Sequence, residues 1–357
     1  METDRRNYGI DLLRSVAMLG IVVLHILYHG GILNAVGLDL TKFSIIWLIE
    51  ILAYSAVDCF ALISGYTGYK DIETPYRYWK YMPIYLQVFV YSFGIAVVTS
   101  FFQEVQFKDI IKAAMPVTTT RYWYFTAYTG VFFMAPWANR FIRNLTRNEA
   151  KHLAILFFLL LFYLPIAGQF ADPFKIVGGY SFLWLFVLYL VGAFIKKFNI
   201  GKNVNIGLLL AVQMSFLVIT LVSEIVMKEY NFLCEYTSVT IVGMACIELI
   251  VFSKLKIMGK IANFLKAITP SIFGVYLIHD NPIFRQIFIE NNFIWIVHKP
   301  VYTIWFWIVG IAVLVMFSCL IIDKFRELLF KLLRINSLAK IIDQRIRIVL
   351  EQVVYKQ

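Results

Sequence analysis

Apolar runs recur along the whole chain, each close to the ~20 residues that cross a bilayer as a helix. They cover 9–29, 43–66, 81–102, 122–142, 152–168, 180–198, 204–227, 236–253, 267–290 and 301–323. These runs are too long and too uniformly apolar for the short alternating segments of a transmembrane barrel. The fold predicted is therefore all-α and integral to the membrane, a bundle of about ten transmembrane helices. The opening "METDRRNYGIDLLR" does not read as a cleavable signal, because Asp11 and Arg14 interrupt the apolar core and no small-residue cleavage site follows. After residue 323 the pattern changes. Leu338, Ile341, Ile342, Ile346 and Val349 fall at helical spacing with Lys and Arg on the other faces. That suits a helix lying on an anionic membrane surface, with a partner-binding helix as the alternative. Residues 1–323 are thus expected to form one transmembrane domain and residues 324–357 a cytoplasmic, basic amphipathic tail.

Composition agrees with this picture. The 357 residues are 61% hydrophobic and only 15% charged, whereas a soluble domain is nearer half apolar and a quarter charged. The net charge of +11 would suggest nucleic acid if the cations were clustered, so their placement matters. With the N-terminus in the cytoplasm, twenty-four Lys and Arg fall in 1–8, 67–80, 140–151, 196–203, 254–266 and the tail. Eight fall in the opposite loops. That is the positive-inside bias of ten spans with both termini cytoplasmic in a cell membrane. The basicity is topological, and no nucleic acid is implied. Cys59, Cys234, Cys246 and Cys319 lie in expected spans without metal-ligand spacing, so packing explains them and no metal is expected. The chain contains no Walker A or Gly-rich phosphate loop, which argues against an ATP-driven pump.

Ionisable side chains inside spans cost roughly 2.5–3.5 kcal/mol each at the centre, so each one needs a reason. Arg14 and His25 are eleven residues apart, within ~20° of whole helical turns, and project from one face about 16 Å apart along the axis. Asp11 precedes Arg14 by three residues and can pair with it; His29 follows His25 by four. Taken alone, Arg14 also fits an anchor that snorkels to the surface, and His25 a satisfied interhelical hydrogen bond. Together with Asp11 they favour a polar cavity. Glu50 and Asp58 fall nearly on one face of the second span, while Glu224 and Glu248 read as helix–helix glue. His279 and Asp280 occur in "SIFGVYLIHDNP", Arg77 and Lys80 in "YRYWKYMPIY", and Arg121, Trp123 and Tyr124 in "TTTRYWYF".

"DLLRSVAMLGIVVLH" resembles the Arg-x10-His first helix of the membrane acyltransferase-3 family. "VDCFALISGY" is similar to that family's D-x-F-F-x-L-S-G-F segment, "YRYWKYMPIY" to its R-x-x-R-I-x-P loop, "RYWYF" to its W-Y-L entry, and "FGVYLIH" to its penultimate helix. Five short motifs in order make the resemblance specific. There are two departures. Lys80 replaces the loop's second arginine, which loses fork geometry toward phosphate. "WYFTAYTGVFF" lacks the glutamate of the "WYLSVEEQF" branch that carries an extracellular domain, so a stand-alone form is expected.

The resemblance implies transfer of an acyl group, usually acetyl, from cytoplasmic acetyl-CoA to a hydroxyl of a cell-surface or exported glycan, free or lipid-linked. Arg14, with Arg77 and Lys80, would meet the CoA phosphates. His25 would act as base or acyl carrier, Asp11 would hold Arg14, and His279 and Tyr124 would orient acceptor or donor. A competing class is a transporter of a small carboxylate or amino acid, although no inverted repeat or paired broken helices point to alternating access.

Overall fold

The computed structural model describes residues 6–37, 39–73, 77–164, 172, 174–227 and 233–354. All regular elements among them are helical. The principal helices are α1 (Tyr8–Tyr28), α2 (Leu40–Gly68), α3 (Tyr81–Ser100), α4 (Trp123–Asn144), α5 (Arg147–Phe158), α6 (Phe182–Lys197), α7 (Ile206–Met227), α8 (Val239–Ser253), α9 (Gly259–Ile268), α10 (Ile272–His279), α11 (Pro282–Phe288), α12 (Val301–Leu332) and α13 (Ile335–Val354).

Six stretches among the described residues are long and apolar enough to cross a membrane: Tyr8–Tyr28, Leu40–Gly68, Tyr78–Ser100, Ile206–Met227, Gly259–His279 and Val301–Leu332. The chain is a multi-pass membrane protein. The remaining runs of the expected ten take other forms. α6 and α8 have 16 and 15 residues. At a rise of ~1.5 Å that is about 22–24 Å, short of a ~30 Å hydrocarbon core. α4 has the length, but Asn139, Arg140 and Arg143 make its second half polar. The run 152–168 continues α5 through a π-turn at Leu159–Tyr163, and its end lies outside the described residues. The run 267–290 is divided. Its first part belongs to the Gly259–His279 stretch, which passes through a 3-10 turn at Thr269–Ser271, and a separate short helix starts at Pro282, since proline has no N–H for the helical ladder.

α1 stands at the centre, packed against α2, α8, α10 and α12. Its start is fixed by Asn7, whose side-chain oxygen caps the Gly9 amide at 2.9 Å while its Nδ2 donates to the Ser253 carbonyl of α8, also at 2.9 Å. α2 and α6 cross backbone to backbone at two glycines. A Cβ on Gly65 would stand 1.9 Å from the Tyr189 oxygen, and one on Gly192 would stand 2.0 Å from the Leu62 oxygen. Small residues at a helix crossing are how van der Waals contact is gained in lipid, which offers no hydrophobic drive. α7 exposes most of its apolar surface, as a lipid-facing helix does. α12 runs beyond 323 to Leu332, and α13 follows as the helix the tail pattern predicts. α13 packs against the Tyr78–Lys80 turn, with Lys340 Nζ 5.0 Å from the Trp79 ring. Leu338, Ile341, Ile342, Ile346 and Val349 stay exposed.

Candidate active site

α1 and α2 run antiparallel, so Arg14 near the start of one meets Thr67 near the end of the other: Arg14 Nη2 lies 3.3 Å from Thr67 Oγ1. Arg14 Nη1 donates to Asp11 Oδ1 at 2.9 Å, and Arg6 takes the other oxygen of the same carboxylate. The Asp11–Arg14 pair expected from the sequence is present, and it holds the guanidinium at the wall of a cavity of about 880 Å³. Lys70, Arg77 and Lys80 line that cavity as well, four cations in all with Arg14. Thr67, Gln87, Tyr128 and Pro270 complete its polar and turning edges.

Three turns further along α1, His25 lines a second cavity of about 470 Å³. Its neighbours there include His29, Glu50, Tyr54, Asp280 and Arg285. Phe60, Tyr124 and Phe273 line both spaces. These three rings, one each from α2, α4 and α10, mark the constriction where the cavities meet. The Phe60 and Tyr124 rings are 6.5 Å apart, edge to face. The Tyr124 hydroxyl is buried there with no hydrogen-bond partner among the described residues.

The histidines form a directed pair. His279 is fully buried at the end of α10, and its Nδ1 lies 2.6 Å from the Val275 carbonyl oxygen. A carbonyl can only accept, so His279 Nδ1 carries the proton and neutral Nε2 is an acceptor. His25 Nδ1, 2.9 Å from His279 Nε2, is then the donor. The lone pair of His25 falls on Nε2. This tautomer follows from the bonding partners. The turn after α10 keeps the arrangement in place. Asn281 caps Ile283 at 3.1 Å and donates to the Tyr122 hydroxyl at 2.9 Å, which in turn donates to the Leu277 carbonyl at 2.8 Å. From the other side, Asn291 and Phe293 donate to the His29 and Gly30 carbonyls at the end of α1.

Arg285 Nη1 donates to Asp280 Oδ1 at 2.8 Å and lies 3.4 Å from His29 Nε2. His25, His29 and Asp280 bring potential metal-ligand atoms within 4.8 Å of one another, but the Arg285 guanidinium is already bonded to two of the three. Glu50 and Asp58, expected nearly on one face, part company. Glu50 lines the histidine cavity, whereas Asp58 turns to Trp184 Nε1 at 3.3 Å and reaches neither cavity. Eight residues are ~800°, which leaves the two side chains ~80° apart. Glu248 is the helix–helix clamp that the sequence suggests, bonded to Ser55, Cys59 and Gln213.

Sequence reasoning missed Arg285 as a partner of Asp280, and it missed Tyr54, Tyr180 and Tyr236 as cavity wall. It also missed Asp323, buried on α12 and bonded to Gln87, Tyr91 and Arg326. The spacing of Asp323 and Arg326, three residues apart, was the one local signal for that network.

A family model described as an acyltransferase domain matches residues 7–331. No curated protein and no solved structure matches the chain.

Proposed function

Because this chain belongs to the acyltransferase-3 family and is an acyltransferase, we propose that its two cavities are the donor and acceptor chambers of one transfer reaction. The donor is acetyl-CoA, entering the basic cavity from the cytoplasm. Its phosphates meet Arg14, Arg77 and Lys80, since charge-assisted bonds to phosphate are the strong ones. The thioester reaches the constriction, where the unpartnered Tyr124 hydroxyl donates to the acyl carbonyl. The acceptor is a hydroxyl of a cell-surface or exported glycan, held in the histidine cavity. His25 Nε2 takes the hydroxyl proton as the oxygen attacks the carbonyl carbon. The tetrahedral intermediate then expels the CoA sulfur, and the imidazolium returns its proton to that thiolate. An ester forms, a thioester breaks, and His25 ends neutral. His279 accepts from His25 Nδ1 throughout, so the basic lone pair is on His25 Nε2 before the proton is taken and again after it is returned.

The observation that carries this reading is the His25–His279 pair, with His25 on the wall of a cavity that shares three rings with a four-cation one. No separate observation favours transport. Mass spectrometry of surface polysaccharide and cell wall, with and without the gene, tests the reaction. Loss of O-acetyl groups in its absence is the expected result, and identical acylation overturns it. The orientation, a cell membrane with both termini cytoplasmic, rests on the charge bias. Reporter fusions at residue 145 should read cytoplasmic and those at residue 175 outside.

A further inference from the structure

Glu50 is 5% exposed, lines the histidine cavity, and makes no hydrogen bond or ion pair among the described residues; its Oε2 is buried without a partner. Asp280, the other carboxylate on that wall, is engaged by Arg285, and elsewhere Asp11 is held by two arginines and Glu248 by three donors. Around Glu50 the same cavity is walled by contiguous rings. Tyr54, four residues on along α2, stands 4.7 Å from Tyr236; Tyr236 is 5.2 Å from Tyr180; Tyr180 is 4.5 Å from Trp123. All four rings line the space. A buried carboxyl without a partner is costly, and among the described residues none of the three tyrosine hydroxyls of this wall donates to Glu50 Oε2. One class of ligand group answers both features at once. An ammonium ion pairs with the carboxylate and is attracted by the ring faces.

We propose that this wall binds a cationic nitrogen, so that the acceptor admitted to the chamber carries an ammonium group, as a free amino sugar does. Glu50 is then the residue that sets acceptor specificity, on the wall of the same cavity as the base. This assignment rests on the reading of the histidine cavity as the acceptor chamber. The ammonium displaces no native partner of Glu50, and Arg285, the cavity's own cation, is neutralised by Asp280. An uncharged hydroxyl or acetamido group in the same place would satisfy the carboxyl but gain nothing electrostatic from the rings.

The test uses purified full-length protein in detergent and ligand-observed saturation-transfer NMR, at a pH where glucosamine is protonated. The probes are tetramethylammonium, glucosamine and N-acetylglucosamine, with CoA binding measured in parallel. We expect glucosamine and tetramethylammonium to bind saturably, and N-acetylglucosamine about tenfold more weakly or less. Glu50→Gln should erase that preference, Glu50→Asp should retain most of it, and CoA affinity should stay within about twofold of wild type in both. Equal binding of the two sugars, no binding of either ammonium probe, or a preference that survives Glu50→Gln overturns the proposal. Loss of CoA binding in both Glu50 variants also overturns it, because the carboxyl would then be structural. Intact ammonium preference in a wild type that binds no CoA supports the proposal and overturns the donor reading instead.

Discussion

The two cavities on either side of Phe60, Tyr124 and Phe273 are built from different materials. In the basic cavity the functional groups are long cationic side chains, and Arg77 and Lys80 flank a short turn rather than a helix interior. Such groups act through charge at the end of a flexible stem, and small displacements cost them little. At the histidine cavity the imidazoles are short and held from behind: His279 by the Val275 carbonyl, His25 by His279, and the end of α1 at His29 by the loop that returns at Asn291. There the position of one lone pair decides whether a proton can move. On the proposed reading, chemistry that depends on geometry is placed on helix ends locked from several sides. Recognition that depends on charge is, on the same reading, left to the four cations of the basic cavity.

The sharpest way to break this contrast is to remove the base. His25→Ala should lower transfer by ~10²–10⁴-fold while membrane abundance stays near wild type, measured as acetyl groups transferred per mole of protein. Residual activity of tens of per cent would mean that His25 is only a packing residue. At the other cavity, Arg14→Ala should weaken acetyl-CoA binding by about 10- to 150-fold, which is the ~1.5–3 kcal/mol of a charge-assisted bond. Arg77→Ala should act in the same direction. Wild-type affinity in both variants would remove the donor assignment from this cavity.

His279→Gln separates geometry from charge. It should cost transfer about tenfold, one hydrogen bond's worth, because the His25 tautomer is no longer fixed, while acetyl-CoA binding is unchanged. A parallel loss of CoA binding would show that the two cavities are not independent. The smallest effect belongs to Lys80→Arg, which restores the fork missing from the basic loop. Equal or slightly tighter acetyl-CoA binding is expected, and a large loss would mean that the ammonium is held in a specific geometry rather than acting as a point charge.

Much of this protein is legible in its sequence. Uniformly apolar runs announce a helical membrane protein, because in hydrocarbon each backbone polar group must be satisfied within its own helix. Arg14, Asp11 and His25 were legible because one straight helix carries all three, and helical spacing alone decides which residues share a face. The acyltransferase-3 resemblance was legible in motifs that are each local. The broken ninth run was less so. Pro270 and Pro282 are in the sequence, but that the chain turns there to bring His279 behind His25 depends on Tyr122 and Asn281, over 150 residues apart. Spacing leaves Glu50 and Asp58 ~80° apart on one span, but the neighbours of α2 decided that one faces a cavity and the other Trp184. The tautomer of the histidine pair, the Arg285–Asp280 bond and the aromatic wall likewise join residues from different helices. Periodicity fixes a side chain's direction around its own axis. What stands in that direction is set by how the helices pack, and that information is spread over the whole chain.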